Sequence, residues 1–128
     1  MPKKSLMPAK GKAIGPYSPG IEVGDLVFVS GQIPLDPDTG KLVEGGIAMQ
    51  TKQSLENLKG VLAAAGLGFE HVVKTTIFLT KMSDFAEVNE VYKGYVSEPY
   101  PARSTIAIAG LPMGAEVEIE MIASRAAK

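Results

Sequence analysis

Residues 115–123 read Ala-Glu-Val-Glu-Ile-Glu-Met-Ile-Ala, and their alternation is strict. Successive side chains of a β-strand point to opposite faces of the sheet. Val117, Ile119, Met121 and Ala123 therefore share one face, and Glu116, Glu118, Glu120 and then Ile122 share the other. Such a strand needs a sheet with a packed apolar side and a second side of different character. That requirement constrains how the rest of the chain is arranged.

Residues 1–19 are rich in Pro, Gly and Lys and read as irregular, with Gly15-Pro16-Tyr17-Ser18-Pro19-Gly20 as a turn before the first strand. Ile21-Glu22-Val23, Gly24-Asp25 and Leu26–Gln32 read as a hairpin, whose second strand is apolar on both sides. Pro34 through Gly46 is a loop with turn chemistry at Asp36–Gly40. The period then changes. Thr51, Leu55, Leu58, Val61, Leu62 and Ala65 line one helical face, and Gly66 stops the helix. Val72–Leu79 is a β-branched strand. Ser83 or Asp84 is expected to cap a second helix, with Glu87 as capping-box partner. The apolar face of that helix is Phe85, Val88, Val91, Tyr92 and Tyr95 or Val96, and Pro99 and Pro101 end it. Ala102–Ala109 and Ala115–Ser124 are the last two strands, separated by Gly110–Gly114.

The order is ββαβαββ, and residues 1–128 read as one domain. Two amphipathic helices cannot cover both faces of a five-stranded sheet, so they share one face. The expected fold is an α+β sandwich with a mixed sheet. Its opposite face meets solvent or another subunit, and the doubly apolar second strand favours a homo-oligomer.

Bulk properties exclude several function classes. The formal net charge is −1 and no basic run exceeds Lys3-Lys4, so nucleic-acid binding has little electrostatic support. The chain has no cysteine and a single histidine, His71, which excludes disulfides, thiolate chemistry and the usual zinc ligand sets. No secretory signal is evident at the amino terminus, and no apolar run approaches the roughly 20 residues needed to cross a bilayer. The expected location is cytoplasmic.

Only two of the thirteen Lys and Arg residues are arginine, and one, Arg103, lies in the apolar stretch Pro101–Ile108. A guanidinium grips a carboxylate with two parallel hydrogen bonds, which an ammonium cannot do. Burial of Arg103 is expected, and a buried charge needs an anionic partner. That partner is a protein carboxylate or a small acidic ligand. Glu120 stands at the border of polar and apolar surface. Desolvation there, balanced by a guanidinium, suits a base or a water-orienting group. If the last two strands pair as a hairpin, residue parity permits Arg103 opposite Glu120. Two readings stand side by side at this point: an Arg–Glu ion pair closing a subunit interface, and a ligand site.

Seven segments, in order along nearly the whole chain, resemble the RidA family of reactive intermediate imine deaminases, the YjgF type. They are Ala13–Ser18, Val29–Pro34, Gln53–Asn57, Val73–Thr76, Asp84–Asn89, Pro101–Ser104 and Val117–Glu120. The resemblance implies a chorismate-mutase-like α+β fold, a homotrimer with ligand sites between subunits, and hydrolysis of 2-imino acids to 2-keto acids and ammonia without metal or cofactor. It implies that Arg103 grips the substrate carboxylate and Glu120 positions the attacking water. Tyr17, Ser30, Gly31 and Asn89 would line the pocket. Many relatives carry cysteine where this chain has Thr105, so a thiol is not essential to the chemistry here. Thr105 still offers its hydroxyl and backbone N–H. Two other functions are weighed against this one. A non-catalytic sensor of small carboxylates would keep Arg103 but need no Glu120. An RNA-cleaving role, attributed to some members, finds no basic patch here.

Overall fold

Gly24 takes a positive φ of 58°, a conformation open to glycine at little cost. This reverses the chain so that Val23 lies opposite Leu26. In the computed structural model, which describes residues 2–11, 13 and 15–127, that hairpin belongs to a larger sheet. Ile14, within one of the motifs quoted above, lies outside the described residues. Among these residues six strands occur: β1 (Lys4–Leu6), β2 (Gly20–Val23), β3 (Leu26–Gln32), β4 (Val72–Leu79), β5 (Ala102–Ala107) and β6 (Val117–Ser124). Their order across the sheet is β1-β2-β3-β6-β4-β5. All neighbours run antiparallel except β4 and β5, so the sheet is mixed. Strand β1 corrects the expectation that residues 1–19 are irregular. Three residues carry no readable period, and their strand exists because β2 offers an edge to pair with.

Two α-helices, α1 (Ile47–Ala64) and α2 (Phe85–Tyr92), pack on the same side of the sheet. The predicted face of α1 is buried along its length, with Leu55, Leu58 and Leu62 at 0 % exposure. They meet Val27, Ile77, Val117 and Ile119 from the sheet, and Val88 from α2 closes the same core. Each such aliphatic side chain contributes about 1.5–3 kcal/mol on burial. Helix α1 ends as predicted at Gly66, where φ is 75°. Gly66 N–H donates to Ala63 O and Leu67 N–H to Leu62 O, both at 2.9 Å, which is a Schellman closure.

Helix α2 departs from expectation at both ends. Asp84 makes no side-chain cap; it closes a 3₁₀ turn, Met82–Asp84, with φ −84° and ψ −5°. A residue already in helical conformation cannot fold its carboxylate back onto the following N–H groups. The helix also stops at Tyr92, well before the prolines.

The Gln53–Asn57 motif of α1 has a structural job. Gln53 Nε2 donates to Asn57 Oδ1 at 2.8 Å, and Asn57 Nδ2 donates to Leu35 O at 2.9 Å and Ile33 O at 3.3 Å. These bonds fasten the segment that leaves β3 to the helix. Asn57→Ala is expected to cost about 1–2 kcal/mol, because it orphans half-buried carbonyls. A urea unfolding midpoint unchanged from the parent would show that the clasp adds nothing.

Candidate functional site

Strand β5 is the sheet edge, and its residues are largely exposed in the chain. Arg103 is therefore exposed, which corrects the expectation of burial. An apolar composition did not make this strand interior, because β6, not β5, fills the centre of the sheet. Among the described residues no Asp or Glu lies at ion-pair distance from Arg103. Its Nη1 instead donates to Asn89 Oδ1 at 2.6 Å. The guanidinium carbon stands 5.2 Å from the centre of the Tyr92 ring and 5.5 Å from that of Phe85. Phe85, Asn89 and Tyr92 fall at i, i+4 and i+7 of α2, so one helical face supplies all three contacts. The cation is braced by neutral groups and is not neutralised.

Pairing of Arg103 with Glu120 in a hairpin does not occur. Strand β4 lies between β5 and β6, with Thr75 opposite both Arg103 and Met121, and Thr76 opposite both Ser104 and Glu120. Paired residues point to one side of a sheet. Arg103 thus shares the helix side with Thr75 and Met121, and Glu120 faces away from the helices. Two interstrand spacings, about 9–10 Å, and the thickness of the sheet separate them. Parity within one strand is local; the inserted strand reverses its consequence.

On the side away from the helices, β3 bulges between Val29 and Gln32 opposite β6. The extra residue brings Ser30 and Gly31 beside Glu120; such kinks re-aim side chains next to sites. Ser30 Oγ donates to Ser18 O at 2.6 Å, tying the loop before β2 to the bulge. An open cleft of ≈ 280 Å³ follows, lined by Ser18, Ile21, Phe28, Val29, Ser30, Glu120, Met121 and Ile122. Gly31 is a close-approach position, because a Cβ there would strike the Glu118 carboxylate. Tyr17 is 49 % exposed in the loop that carries Ser18. Leu26, Phe28 and Ile106 are exposed on this same side of the sheet, which no helix covers among the described residues.

The structure therefore gathers the predicted residues into two groups. Arg103, Asn89 and Thr105 lie on the helix side at the β5 edge; Ser30 and Glu120 line the cleft on the other side, with Gly31 next to Ser30 in the bulge. Thr105 Oγ1 is buried without a hydrogen-bond partner among the described residues. The sequence alone does not mark Phe85 and Tyr92 as neighbours of Arg103; their spacing assigns them to the apolar face of α2. Their i, i+4, i+7 relation to Asn89 is the signal that was available. Nor does the sequence alone mark Ser18, Phe28 or Ile122. His71 is structural: its Nδ1 accepts from Gly68 N–H at 3.1 Å and so shapes the entry to β4. Among the described residues no three His, Cys, Asp or Glu side chains gather as metal ligands would, and no helix is long and apolar enough to cross a membrane.

Burial first, and the adjacent Glu120 carboxylate second, raise the Glu118 carboxyl above its ordinary value of 4.5. An acid with a raised folded value holds more protons folded than unfolded between the two values. Stability from this group therefore falls as pH rises through that window. Glu118→Gln is expected to raise the urea midpoint modestly at neutral pH, since the side chain is partly solvated. The gap to the parent should close on acidification below the ordinary value. A gap independent of pH would remove ionisation of Glu118 as its cause.

The chain is similar to known proteins over most of its length. The family model described as Endoribonuclease L-PSP matches residues 7–125. Protein DfrA of Myxococcus xanthus is 54% identical over 114 residues, covering 88% of this chain and 87% of its own. The 2-iminobutanoate/2-iminopropanoate deaminase of Mus musculus is 50% identical over 111 residues, covering 87% of this chain and 82% of its own. The crystal structure of RidA from the Antarctic bacterium Psychrobacter superposes with a TM-score of 0.90 at 43% identity, over 94% of this chain and 98% of its own.

Proposed function

We propose, since the chain belongs to the RidA (YjgF-type) family, that it hydrolyses small 2-imino acids, such as 2-iminobutanoate and 2-iminopropanoate, to 2-keto acids and ammonia. The observation that carries this reading is Arg103: a guanidinium with no carboxylate partner among the described residues, braced by Asn89, Phe85 and Tyr92 at a sheet edge. A structural ion pair would have neutralised it. The mouse relative, at 50% identity, bears the name of that activity. The family description also names an endoribonuclease, but a net charge of −1 offers little attraction for a polyanion.

The chemistry needs few parts. The substrate carries a carboxylate beside an electrophilic C=N carbon. Two hydrogen bonds from Arg103 hold the carboxylate and so aim that carbon. Glu120 accepts a proton from a water molecule as its oxygen attacks, and the C–O bond forms as the C=N π-pair moves to nitrogen. Glu120 returns that proton to nitrogen, giving the carbinolamine; it then carries the hydroxyl proton to nitrogen as the C=O bond forms and the C–N bond breaks, releasing ketone and ammonia. Positioning supplies much of the rate, and base assistance adds about 10²–10⁴-fold.

Arg103 and Glu120 on opposite sides of one sheet cannot serve one small molecule within a single subunit. A homotrimer resolves this: Arg103, Asn89 and Thr105 come from one subunit, and Tyr17, Ser30, Gly31 and Glu120 from its neighbour. The exposed apolar side chains Leu26, Phe28 and Ile106 support burial of the helix-free face in that assembly. Thr105 lies two residues from Arg103 on the same face of β5, and its hydroxyl would turn to the ligand carboxylate held there. Thr105→Val is expected to leave the urea midpoint unchanged or raised, because it deletes an orphaned hydroxyl. It should weaken 2-oxo acid binding several-fold, roughly the loss of one hydrogen bond. Lowered stability with unchanged binding would place the hydroxyl in the fold instead.

The activity is tested by generating 2-iminobutanoate in situ with an amino-acid oxidase and trapping the remaining imine with semicarbazide. The protein is expected to deplete the imine and release ammonia faster than buffer. Imine loss at the uncatalysed rate, across imines from several amino acids, would overturn the reading.

A further inference from the structure

We infer that Tyr92 is a positioning residue for carboxylate recognition, holding the Arg103 guanidinium in place before any ligand arrives. The inference rests on the reading of Arg103 as the group that grips the substrate. A free arginine side chain samples many rotamers, and ordering it on binding weakens affinity. Here the ordering is built into the fold. The Tyr92 ring is only 5 % exposed and lies 5.2 Å from the guanidinium carbon. Its hydroxyl donates to Thr75 Oγ1 at 3.1 Å, inside the core. Thr75 is itself the register partner of Arg103 on the adjacent strand. The Val73–Thr76 motif and α2 thus meet at one point, and that point is a π-face placed beside the cation.

The three braces divide the work. Asn89 Oδ1 takes one N–H of Nη1, and the two rings contact the guanidinium without consuming further donors. A guanidinium has five N–H donors in a fixed fork. A carboxylate partner from the protein would use up the pair of donors a ligand needs, whereas an aromatic ring stabilises the charge and leaves those donors available. Phe85, at 36 % exposure, is the outer ring, and Tyr92 is the inner one, anchored through its hydroxyl. Tyrosine suits the inner position because it combines an apolar ring with a polar tip that finds a partner when buried.

The test measures binding of 2-oxobutanoate and of its neutral analogue 2-oxobutanamide by calorimetry, on the assembled protein. The proteins are wild type, Arg103→Ala, Tyr92→Phe and Tyr92→Leu, each checked by urea unfolding. Tyr92→Leu should weaken acid binding about five- to tenfold, the scale of a partly desolvated cation–π contact, and leave amide binding nearly unchanged. KM for the imine should rise with it while kcat changes less. Tyr92→Phe keeps the ring and should restore acid affinity to within about twofold of wild type. If Tyr92→Leu fails to fold, Tyr92→Met, which adapts to irregular spaces, takes its place. Equal loss for acid and amide, or wild-type acid affinity in the folded Leu or Met variant, overturns the inference. Wild-type acid affinity in Arg103→Ala is a different failure, because it removes Arg103 as the grip and the functional reading with it.

Discussion

Arg103→Ala is expected to leave a folded protein that no longer holds 2-oxo or 2-imino acids at working concentrations. The expected loss in affinity, and in kcat/KM, is roughly a hundredfold or more, the scale for removing one partner of a hydrogen-bonded charge pair. Stability should scarcely change. Arg103 sits on an edge strand, exposed, and among the described residues gives up only the hydrogen bond to Asn89 and its contacts with two rings. Arg103→Lys should recover little, because an ammonium lacks the planar fork that meets two carboxylate oxygens at once. Titration with 2-oxobutanoate, alongside imine depletion, separates these effects. Saturation at the wild-type concentration in Arg103→Ala would mean that the guanidinium serves the interface and not the ligand.

Glu120→Gln is expected to do the reverse: to keep 2-oxobutanoate binding and lose turnover by about 10²–10⁴-fold, the contribution of a placed general base. The amide has nearly the shape of the carboxylate but cannot take the proton of the attacking water. Ammonia release that continues at the parental rate would take Glu120 out of the chemistry. A wild-type protein that binds the keto acid and turns over no imine would be a carboxylate sensor. The positions of the two residues allow a sharper experiment. Arg103 and Glu120 lie on opposite sides of the sheet with β4 between them. If each site takes Arg103 from one subunit and Glu120 from the next, the two inactive variants complement each other. Co-expression of Arg103→Ala with Glu120→Gln should yield mixed assemblies with a measurable share of parental activity. Mixed assemblies, separated by differential tags, that stay as inactive as either parent would place both residues in a single subunit's site.

Local structure was legible in the chain wherever a period persisted. Helix α1 shows it best, since every residue assigned to its apolar face is buried, and Gly66 closes it in the left-handed conformation. Strand β4 runs from Val72 to Leu79 as its β-branched composition indicates. In β6 the apolar residues Val117, Ile119, Met121 and Ala123 are buried, as their alternation requires. Strand β1 was illegible because three residues hold no period, and the cap of α2 because a 3₁₀ turn replaced the capping side chain.

The site divides along the same line. That Arg103 lies on a strand, and that Glu120 stands where polar surface gives way to apolar, follow from residue type and period. Whether the two could meet depends on which strands are neighbours. Side-chain alternation is fixed by the dihedral geometry of each strand, so the sequence by itself carried it. Strand order depends on contacts between distant parts of the chain: the crossover through α2 set β5 parallel to the outer edge of β4, and β6 entered between β3 and β4. Only that packing decided that Arg103 is braced against α2 on one side while Glu120 opens on the other.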